Sequence, residues 1–444
     1  MGNLKKTSAI LILITIVLAL TAANAVHALG VTATVTVGNL PGAVAYDSAK
    51  GEIFVANEGV VAGTSTISVI SDSNNTAVAT IPVGEETLSR AGAIAYDSGK
   101  GEIFVTLETA TGTNPSSSVS VISDSTNAVV ANINVGNNPD GIDYDSGKGE
   151  IFVANGHDST VSVISDSNNT VVATIPVGNG LNGVAYDSGK GEIFVANQGS
   201  GTVSVISDSA ITSVPTPVPT PTPTPTLTPT PVPTTVPTPV PTTAPTPFTQ
   251  VPSPAVVANV HVGNYPFGVA YDSGKGEIFV TNNYDNTVSV ISDTDNTVVA
   301  TIPVGKGPYG VAYDSGKSEV FVTNNYDNTT SVISDSNNTV VAIIPVEAPY
   351  GVAYDSGKSE TFVTNTLFEP SLLNPTTNFI SNTVSVISDS SNTSASPASP
   401  APATSVSPTT VPEFSTEALI LAMVLSGVIV VTFVRLKSKR KAFS

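Results

Sequence analysis

The sequence contains no cysteine and no tryptophan, and only three of its 444 residues are histidine. The absence of cysteine excludes a disulfide framework, a thiolate-bound metal and a cysteine nucleophile. The histidines, His27, His157 and His261, show no ligand spacing, so neither a histidine metal site nor a Ser-His-Asp triad is expected. We therefore predict no metal, no cofactor and no catalytic residue.

Charge is also scarce and mostly of one sign. Only 11% of the residues are charged, and the formal net charge is −19. Nine basic and 33 acidic residues between positions 31 and 410 give this part of the chain a charge of about −24. A surface this acidic repels phosphate backbones, so nucleic acid is not an expected partner, although the charge serves solubility equally well.

The amino terminus, residues 1–28, is typical of a secretory signal peptide. Two lysines precede an apolar run over residues 9–22, and small residues follow. Cleavage is expected after Ala25 or Ala28, and an uncleaved anchor is the alternative. The rest of the chain is therefore predicted to be exported.

The carboxyl terminus carries a second apolar run, from Ala418 to Val434. As a helix its 17 residues would span roughly 25 Å, just enough to cross a bilayer. The five basic residues after Val434 would keep that end in the cytoplasm by the positive-inside rule. We predict a membrane anchor with the body of the protein outside, joined to it by a Ser/Thr/Pro stalk over residues 392–411.

A short motif, Pro412, Glu413 and Phe414, stands between this stalk and the apolar run. The motif, the apolar segment and the basic end, together residues 412–444, resemble the PEF-CTERM sorting signal of archaeal surface proteins. The resemblance implies cleavage near the motif by an archaeosortase and transfer to a lipid anchor. A retained transmembrane helix is the alternative.

Between its two ends the chain repeats itself seven times. Each unit contains four short β-branched segments separated by Gly, Asn and Asp turns, which predicts four strands. Segments that are apolar on both faces must be covered on both sides, as stacked four-stranded blades do. An all-β, seven-bladed propeller is therefore predicted over residues 29–391. The repeat is marked by a Tyr-Asp pair at Tyr46, Tyr96, Tyr144, Tyr186, Tyr271, Tyr313 and Tyr354.

The order of the strands predicts how the ring closes. Prolines such as Pro82 in the fourth segment have no backbone N–H to donate to a neighbouring strand, which places this segment at the outer edge of its blade. The last unit ends at its third segment, residues 383–387, and the chain begins with an unmatched fourth segment, residues 32–38. The N-terminal strand is therefore predicted to complete the seventh blade.

A tetrapeptide recurs in the second segment of the units. It reads Phe-Val-Ala-Asn at residues 54–57, 152–155 and 194–197 and Phe-Val-Thr-Asn at residues 321–324 and 362–365, while blade 2 departs from it at Leu107. With this signature the units resemble the YVTN-family β-propeller repeats of archaeal surface-layer proteins, over residues 31–391. The resemblance implies the propeller fold and a place at the cell surface, but little about activity, because propellers host many functions.

A Pro/Thr-rich insert occupies residues 210–254 and favours extended polyproline II structure. The third strand of blade 4 ends near Asp208 and its fourth resumes at Ala255, so the insert is predicted to project from one hairpin turn rather than to divide two domains. Its composition suits O-glycosylation. Possible N-glycosylation acceptors are Asn74, Asn168, Asn328, Asn337 and Asn392.

Two departures from the repeat mark candidate ligand-binding residues. Asp143 replaces an alanine on the innermost strand of blade 3, where it would line the central channel. Aromatic residues beside Asn and Asp in the last three blades suit sugar stacking. The alternatives are a solvated channel residue for Asp143 and local packing for the aromatics. These aromatics are Phe267, Tyr309 and Tyr350 just ahead of the first strand, and Tyr284 and Tyr326 in loops on the same face.

We predict a non-enzymatic cell-surface protein, for envelope structure or adhesion, with surface glycans or proteins as partners. Long loops in blades 7, 1 and 2, including Phe368 and Phe379, would form one side of a concave site beside the aromatics. The alternative is that the lengths of these loops are unconstrained. The alternatives are a propeller enzyme of lactonase-like or dehydrogenase-like type acting at the channel mouth, and a solute- or glycan-binding propeller.

Overall fold

The structure is a computed structural model that describes residues 29–59, 65–84, 89–109, 117–209, 254–366 and 382–389. The signal-peptide, stalk, sorting-motif and anchor predictions, Asn392, and the loop residues Phe368 and Phe379 lie outside these ranges. The described residues form seven four-stranded antiparallel sheets. Inner strands of neighbouring sheets contact each other all the way round, from blade 1 to blade 7 and back to blade 1. This confirms the all-β, seven-bladed propeller.

The strands follow the repeat closely. The chain begins with β1 (Leu29–Thr36). Blade 1 contains β2 (Pro41–Asp47), β3 (Glu52–Asn57), β4 (Thr66–Ser71) and β5 (Thr76–Pro82). Blade 2 contains β6 (Ser89–Asp97), β7 (Glu102–Thr109), β8 (Ser118–Ser123) and β9 (Ala128–Asn134). Blade 3 contains β10 (Pro139–Asp145), β11 (Glu150–Asn155), β12 (Thr160–Ser165) and β13 (Thr170–Pro176). Blade 4 contains β14 (Leu181–Asp187), β15 (Glu192–Asn197), β16 (Thr202–Ser207) and β17 (Ala255–His261).

The remaining blades have the same plan. Blade 5 contains β18 (Pro266–Asp272), β19 (Glu277–Asn282), β20 (Thr287–Ser292) and β21 (Thr297–Pro303). Blade 6 contains β22 (Pro308–Asp314), β23 (Glu319–Asn324), β24 (Thr329–Ser334) and β25 (Thr339–Pro345), with a 3-10 turn at Asn325–Asp327. Blade 7 contains β26 (Pro349–Asp355), β27 (Glu360–Asn365) and β28 (Thr383–Asp389). Within the described ranges no helix has the length and hydropathy to cross a membrane.

The hydrophobic core lies between blades rather than within one. The second strand of each blade is apolar on both faces, and its phenylalanine is at most 1% exposed. Phe54 of blade 1, for example, packs in one cluster with Ile103 and Val105 of blade 2. Because each cluster joins two neighbours, the blades stabilise one another around the ring. The seven phenylalanines are Phe54, Phe104, Phe152, Phe194, Phe279, Phe321 and Phe362.

Blade 7 is built from both ends of the propeller. Its strand order is β1-β28-β27-β26, and β1 pairs antiparallel with β28 from Leu29 opposite Asp389 to Thr36 opposite Thr383. The Thr32 and Ser388 hydroxyls add a side-chain hydrogen bond of 3.0 Å. The N-terminal strand thus completes the last blade, as the sequence predicts.

The Pro/Thr insert is flanked by paired strands. In blade 4, β16 and β17 are neighbours, with Ser207 opposite Ala255, although the whole insert separates them in sequence. The other complete blades make the same connection with a short turn, such as residues 72–75 of blade 1. The insert therefore leaves and re-enters one hairpin of a single propeller. Residues 210–253 themselves lie outside the described ranges.

The turn between the first and second strands reads Asp-Ser-Gly-Lys in six blades and Asp-Ser-Ala-Lys in blade 1, and it has a structural role in each. In blade 4, Asp187 Oδ1 accepts hydrogen bonds from the backbone N–H groups of Gly189 at 2.8 Å and Lys190 at 3.2 Å. The Lys190 ammonium then reaches Asp293 of the next blade, with Nζ 3.8 Å from Oδ1. Such exposed ion pairs contribute little one by one. The equivalent pairs elsewhere are Lys50–Asp124, Lys148–Asp208 and Lys358–Asp72.

The Tyr-Asp pair links neighbouring blades on the inner side. Each tyrosine hydroxyl faces the aspartate of the preceding blade, and Tyr46 of blade 1 faces Asp355 of blade 7 across the closure. Burial, followed by the Asp355 carboxylate, raises the pKa of Tyr46 to about 12. At Tyr96 and Asp47 the two groups face each other without good hydrogen-bond geometry, so we treat the contact there as electrostatic. The pair that reveals the period in the sequence is thus a contact between blades.

Candidate functional site

The propeller has two chemically different faces. Each inner strand begins opposite the end of the second strand, as Pro41 does opposite Asn57, so these ends and the second-to-third-strand loops share one face, which we call the mouth face. The Asp-Ser-Gly-Lys turns and the hairpins to the outer strands lie on the opposite face, which we call the turn face. The strand ends that flank the insert, Ser207 and Ala255, and the strand ends Leu29 and Asp389 belong to the turn face.

A cavity of about 260 Å³ opens on the axis at the mouth face. The inner strands of all seven blades line it, so it is a property of the closed ring. One half of its lining is aromatic and comes from blades 5 to 7. The other half is charged and comes from blades 1 to 3. The residues that determine this character are Phe267, Tyr309 and Tyr350 on the aromatic half and Glu58, Arg90, Glu108 and Asp140 on the charged half.

The threonine of the Phe-Val-Thr-Asn signature holds the aromatic residues in place. Thr323 Oγ1 accepts a hydrogen bond from the Gly310 N–H at 2.8 Å and donates one to the Tyr350 carbonyl of the next blade at 2.6 Å. Thr281 makes the same bridge to the Tyr309 carbonyl at 2.8 Å. The backbones of Tyr309 and Tyr350 are therefore each positioned by the blade before, whereas the carbonyl of Phe267 has no such threonine before it. Blades 1, 3 and 4 have alanine instead, at Ala56, Ala154 and Ala196.

The three predicted stacking residues form one continuous aromatic wall. The ring centroids of Phe267 and Tyr309 are 4.8 Å apart with an interplanar angle of 76°, and those of Tyr309 and Tyr350 are 4.8 Å apart with an angle of 32°. Phe267 and Tyr350 are 6.2 Å apart. These distances are contacts between the rings themselves. A ligand would thus rest against the wall and not between its rings.

Of the two predicted loop tyrosines, Tyr326 extends this wall outward, whereas Tyr284 packs on a tyrosine outside it. Tyr326 meets Tyr309 edge-on, with centroids 6.3 Å apart and an angle of 89°, and remains 63% exposed. Tyr284 is 66% exposed but stacks on Tyr265 at 4.1 Å and 9°, so one face of its ring is covered. The sequence analysis did not single out Tyr265. The sequence feature that could have indicated Tyr265 is its position directly before Pro266, in the same blade as Tyr284.

The charged half is held together by an ion pair between blades 1 and 2. Arg90 donates to Glu58 Oε2 from Nη2 at 2.8 Å and from Nε at 3.0 Å, and its Nη1 lies 4.0 Å from Glu108 Oε2. Arg90 and Glu108 are cross-strand partners in β6 and β7. The Glu58 side chain is only 10% exposed, and its burial raises the pKa of its carboxyl even though Arg90 is adjacent.

Asp140 completes the charged half from blade 3. Its side chain is exposed to the cavity, yet the surrounding protein excludes enough water to raise the pKa of its carboxyl to about 6, with the Glu108 carboxylate as the second cause. The sequence analysis singled out none of the four charged residues, Glu58, Arg90, Glu108 and Asp140. One signal existed, because Arg90 is the only arginine between the leader and the basic tail.

Asp143, predicted as a ligand contact or a solvated channel residue, is not among the residues that line the cavity. Its Oδ1 accepts from the Tyr144 N–H at 2.8 Å and its Oδ2 from the Tyr186 N–H at 2.7 Å. Both oxygens are therefore engaged by backbone, and they tie the inner strands of blades 3 and 4 together. Burial raises the pKa of the Asp143 carboxyl to about 6.

This raised pKa predicts a stability that increases on mild acidification. The folded state binds a proton at Asp143 near pH 6, whereas the unfolded chain binds it only near pH 4. Stability should therefore rise as the pH falls from 7 to about 4, with up to about 3 kcal/mol from this residue. Thermal melts across this range should show the rise. Asp143→Ala, which installs the residue of the other six blades, should make the rise shallower, and the remainder comes from carboxyls such as Asp140, whose pKa is also raised to about 6. Equal slopes for parent and variant would contradict the assignment.

The possible N-glycosylation acceptors are divided between the two faces. Asn74, Asn168 and Asn337 are exposed in hairpins of the turn face, and each accepts a 2.7 Å hydrogen bond from the threonine two residues later. Asn328 lies on the mouth face, where its side-chain oxygen accepts from the Ala348 N–H at 2.8 Å. Glycosylation of these asparagines stays a prediction.

Neither a cluster of metal-binding side chains nor a similarity to known proteins adds to this description. Across the residues that the structure describes, no three His, Asp or Glu side chains converge so as to hold a metal ion. Comparison with models of known protein families and with curated proteins gives no match for this sequence.

Proposed function

We propose that the protein is an exported, non-enzymatic cell-surface propeller, anchored through its carboxyl terminus, that binds a surface ligand or partner at the mouth face. The observation that carries the proposal is the cavity with one aromatic and one charged half. Concave sites that combine aromatic walls with a few convergent polar groups are typical of ligand binding. The leader and tail sequences support export and anchoring, by archaeosortase processing or by a retained helix.

The course of the chain supports the choice of face. The strand β28 runs from Thr383 on the mouth face to Asp389 on the turn face, where residues 390–444 continue. Three of the possible N-glycosylation acceptors and the root of the Pro/Thr insert are on this turn face as well. A tether, and glycans on these three hairpins, would thus start from the side opposite the cavity, which leaves the cavity accessible for envelope or adhesion contacts.

The test is a triple variant, Phe267→Ala, Tyr309→Ala and Tyr350→Ala, displayed on cells and assayed for adhesion and for binding to a glycan array. We expect a loss of at least tenfold, because central aromatic residues dominate the energetics of most binding surfaces. The matched control is Val172→Ala, Val299→Ala and Val341→Ala, which changes exposed valines on three outer strands. Circular dichroism checks folding. Unchanged binding by a folded triple variant would exclude the mouth face.

A further inference from the structure

The chemistry of the cavity defines a ligand class more narrowly than its shape does. We infer that the mouth cavity selects compact organic cations, that is, ligands that carry an alkylammonium or quaternary ammonium group. The inference rests on the proposed function in one respect, namely that this cavity is the binding site. Two independent features of the lining, one aromatic and one electrostatic, point to the same ligand class.

The aromatic half offers a surface that attracts cations. Ring faces carry negative potential, and a cation within about 6 Å of a ring centroid is attracted to it, most strongly where water is excluded. Phe267, Tyr309 and Tyr350 lie in contact with one another, so a single ammonium group against the wall can approach more than one ring. Of the two wall tyrosines, Tyr350 is the one that feels the charged half, because Glu58, Arg90 and Asp140 all influence its hydroxyl electrostatically.

The charged half has an excess of negative charge. Three carboxylates, Glu58, Glu108 and Asp140, line the cavity together with a single guanidinium, Arg90. Arg90 already donates two hydrogen bonds to Glu58, so its charge is largely neutralised by that partner. Glu108 and Asp140 repel each other, and this repulsion contributes to the raised pKa of Asp140. A bound cation would relieve it.

Other ligand classes fit this lining less well. An anion would have to displace Glu58 from Arg90 and would then face Glu108 and Asp140, which costs Coulomb energy in a site with limited water. A neutral sugar could stack on the wall but would leave the excess negative charge uncompensated. The size of the site also limits the ligand. A cavity of about 260 Å³ lies near the lower end of the roughly 300–1,000 Å³ typical of ligand pockets, which favours a compact ligand.

Calorimetric titration of the full chain with matched probes tests the inference. Choline is compared with its uncharged isostere 3,3-dimethyl-1-butanol, and glucosamine at a pH where its amine is protonated is compared with glucose. We expect at least one cation to bind tenfold or more tightly than its neutral partner. Preference for choline would identify a quaternary ammonium ligand, and preference for glucosamine a primary alkylammonium such as an amino sugar. Either outcome supports the inference.

Two negative results of the titration would have different consequences. Equal binding of each charged probe and its neutral partner would overturn the selection of cations, while the mouth face would still be a binding site. Absence of any binding at high millimolar concentrations would also overturn the inference, and the adhesion assay with the triple aromatic variant would then decide the proposed function separately.

Point variants locate the effect in the cavity. Phe267→Leu keeps an apolar side chain but removes the ring, and it should weaken the binding of the cation about tenfold. Phe267→Tyr installs the residue that blades 6 and 7 have at this position and should retain binding. Glu108→Gln should weaken the binding of the cation about fivefold without affecting the binding of its neutral partner. If Phe267→Leu and Glu108→Gln, both folded, bind the cation like the parent, the site is elsewhere and the inference is wrong.

Discussion

A chain that lacks residues 29–36 is expected to lose most of the stability of the propeller. Without β1, the β28 strand becomes an open edge, and Val384 and Val386 lose the cover of Val35. Seven residue pairs join β1 to β28. At about 1 kcal/mol for each hydrogen bond, together with the burial of Val35, the loss exceeds about 5 kcal/mol. That is comparable with the whole stability of many domains, so we expect the melting temperature to fall by more than 10 °C.

The control for this deletion removes a longer segment that does not belong to the ring. Replacing residues 210–254 with Asn-Asn leaves Asp208-Ser209-Asn-Asn between β16 and β17, which is the four-residue turn that blade 1 has at residues 72–75. This variant should melt as one unit close to the parent. A β1 deletion that melts within about 2 °C of the parent would show that the closure contributes little. Two separate transitions for the insert replacement would show that the blades do not form one cooperative ring.

Gly310→Ala is expected to destabilise the protein by about 3 kcal/mol and to displace Tyr350. A Cβ atom at Gly310 would stand 2.5 Å from the Tyr350 carbonyl oxygen and 3.1 Å from Thr323 Oγ1. The carbonyl has little freedom to retreat, because Thr323 holds it at 2.6 Å. The next blade must therefore shift, and its aromatic ring shifts with it. Urea denaturation measures the loss, and near-UV circular dichroism of the tyrosines reports the displacement.

Gly30→Ala is the matched control for this substitution. Gly30 also lies in a strand, but a Cβ atom there would have no neighbour within 4 Å. The stability of this variant should stay within about 0.5 kcal/mol of the parent. Equal and small effects at both glycines would contradict the close packing between blades 6 and 7 that we describe at the cavity.

The architecture could be predicted from the sequence because it repeats. A residue at one position of the repeat, such as the tyrosine of the Tyr-Asp pair, occupies the same place in every blade, so the period directly predicts seven equivalent units. Pro82 and its equivalents predicted outer edges, and the strands that contain them are terminal in their sheets. The aromatic wall was foreseeable for the same reason. Phe267, Tyr309 and Tyr350 share one repeat position in three consecutive blades, which ring geometry places side by side.

The charged half of the cavity could not be predicted in this way. Arg90 and Glu58 are 32 residues apart and occupy different repeat positions, so no spacing relates them, and only the folded ring brings them to 2.8 Å. Asp143 shows a second limit. The substitution of alanine was visible, but the direction of its carboxylate was not, and in the structure it turns to the backbone of blade 4. Periodicity predicts where a residue lies, and the local backbone decides what its side chain contacts.

The way in which blade 7 is assembled has a mechanical consequence. The chain leaves the propeller at Asp389, the end of β28, and β28 lies between β27 and β1. A force applied to the chain beyond Asp389 therefore acts along a strand that is held on both sides, and it loads the hydrogen bonds on each side in shear. These bonds must fail together. An outer strand pulled from its end would instead peel away one bond at a time, so a propeller tethered at Asp389 would resist drag on its body through a strand that is held on both sides.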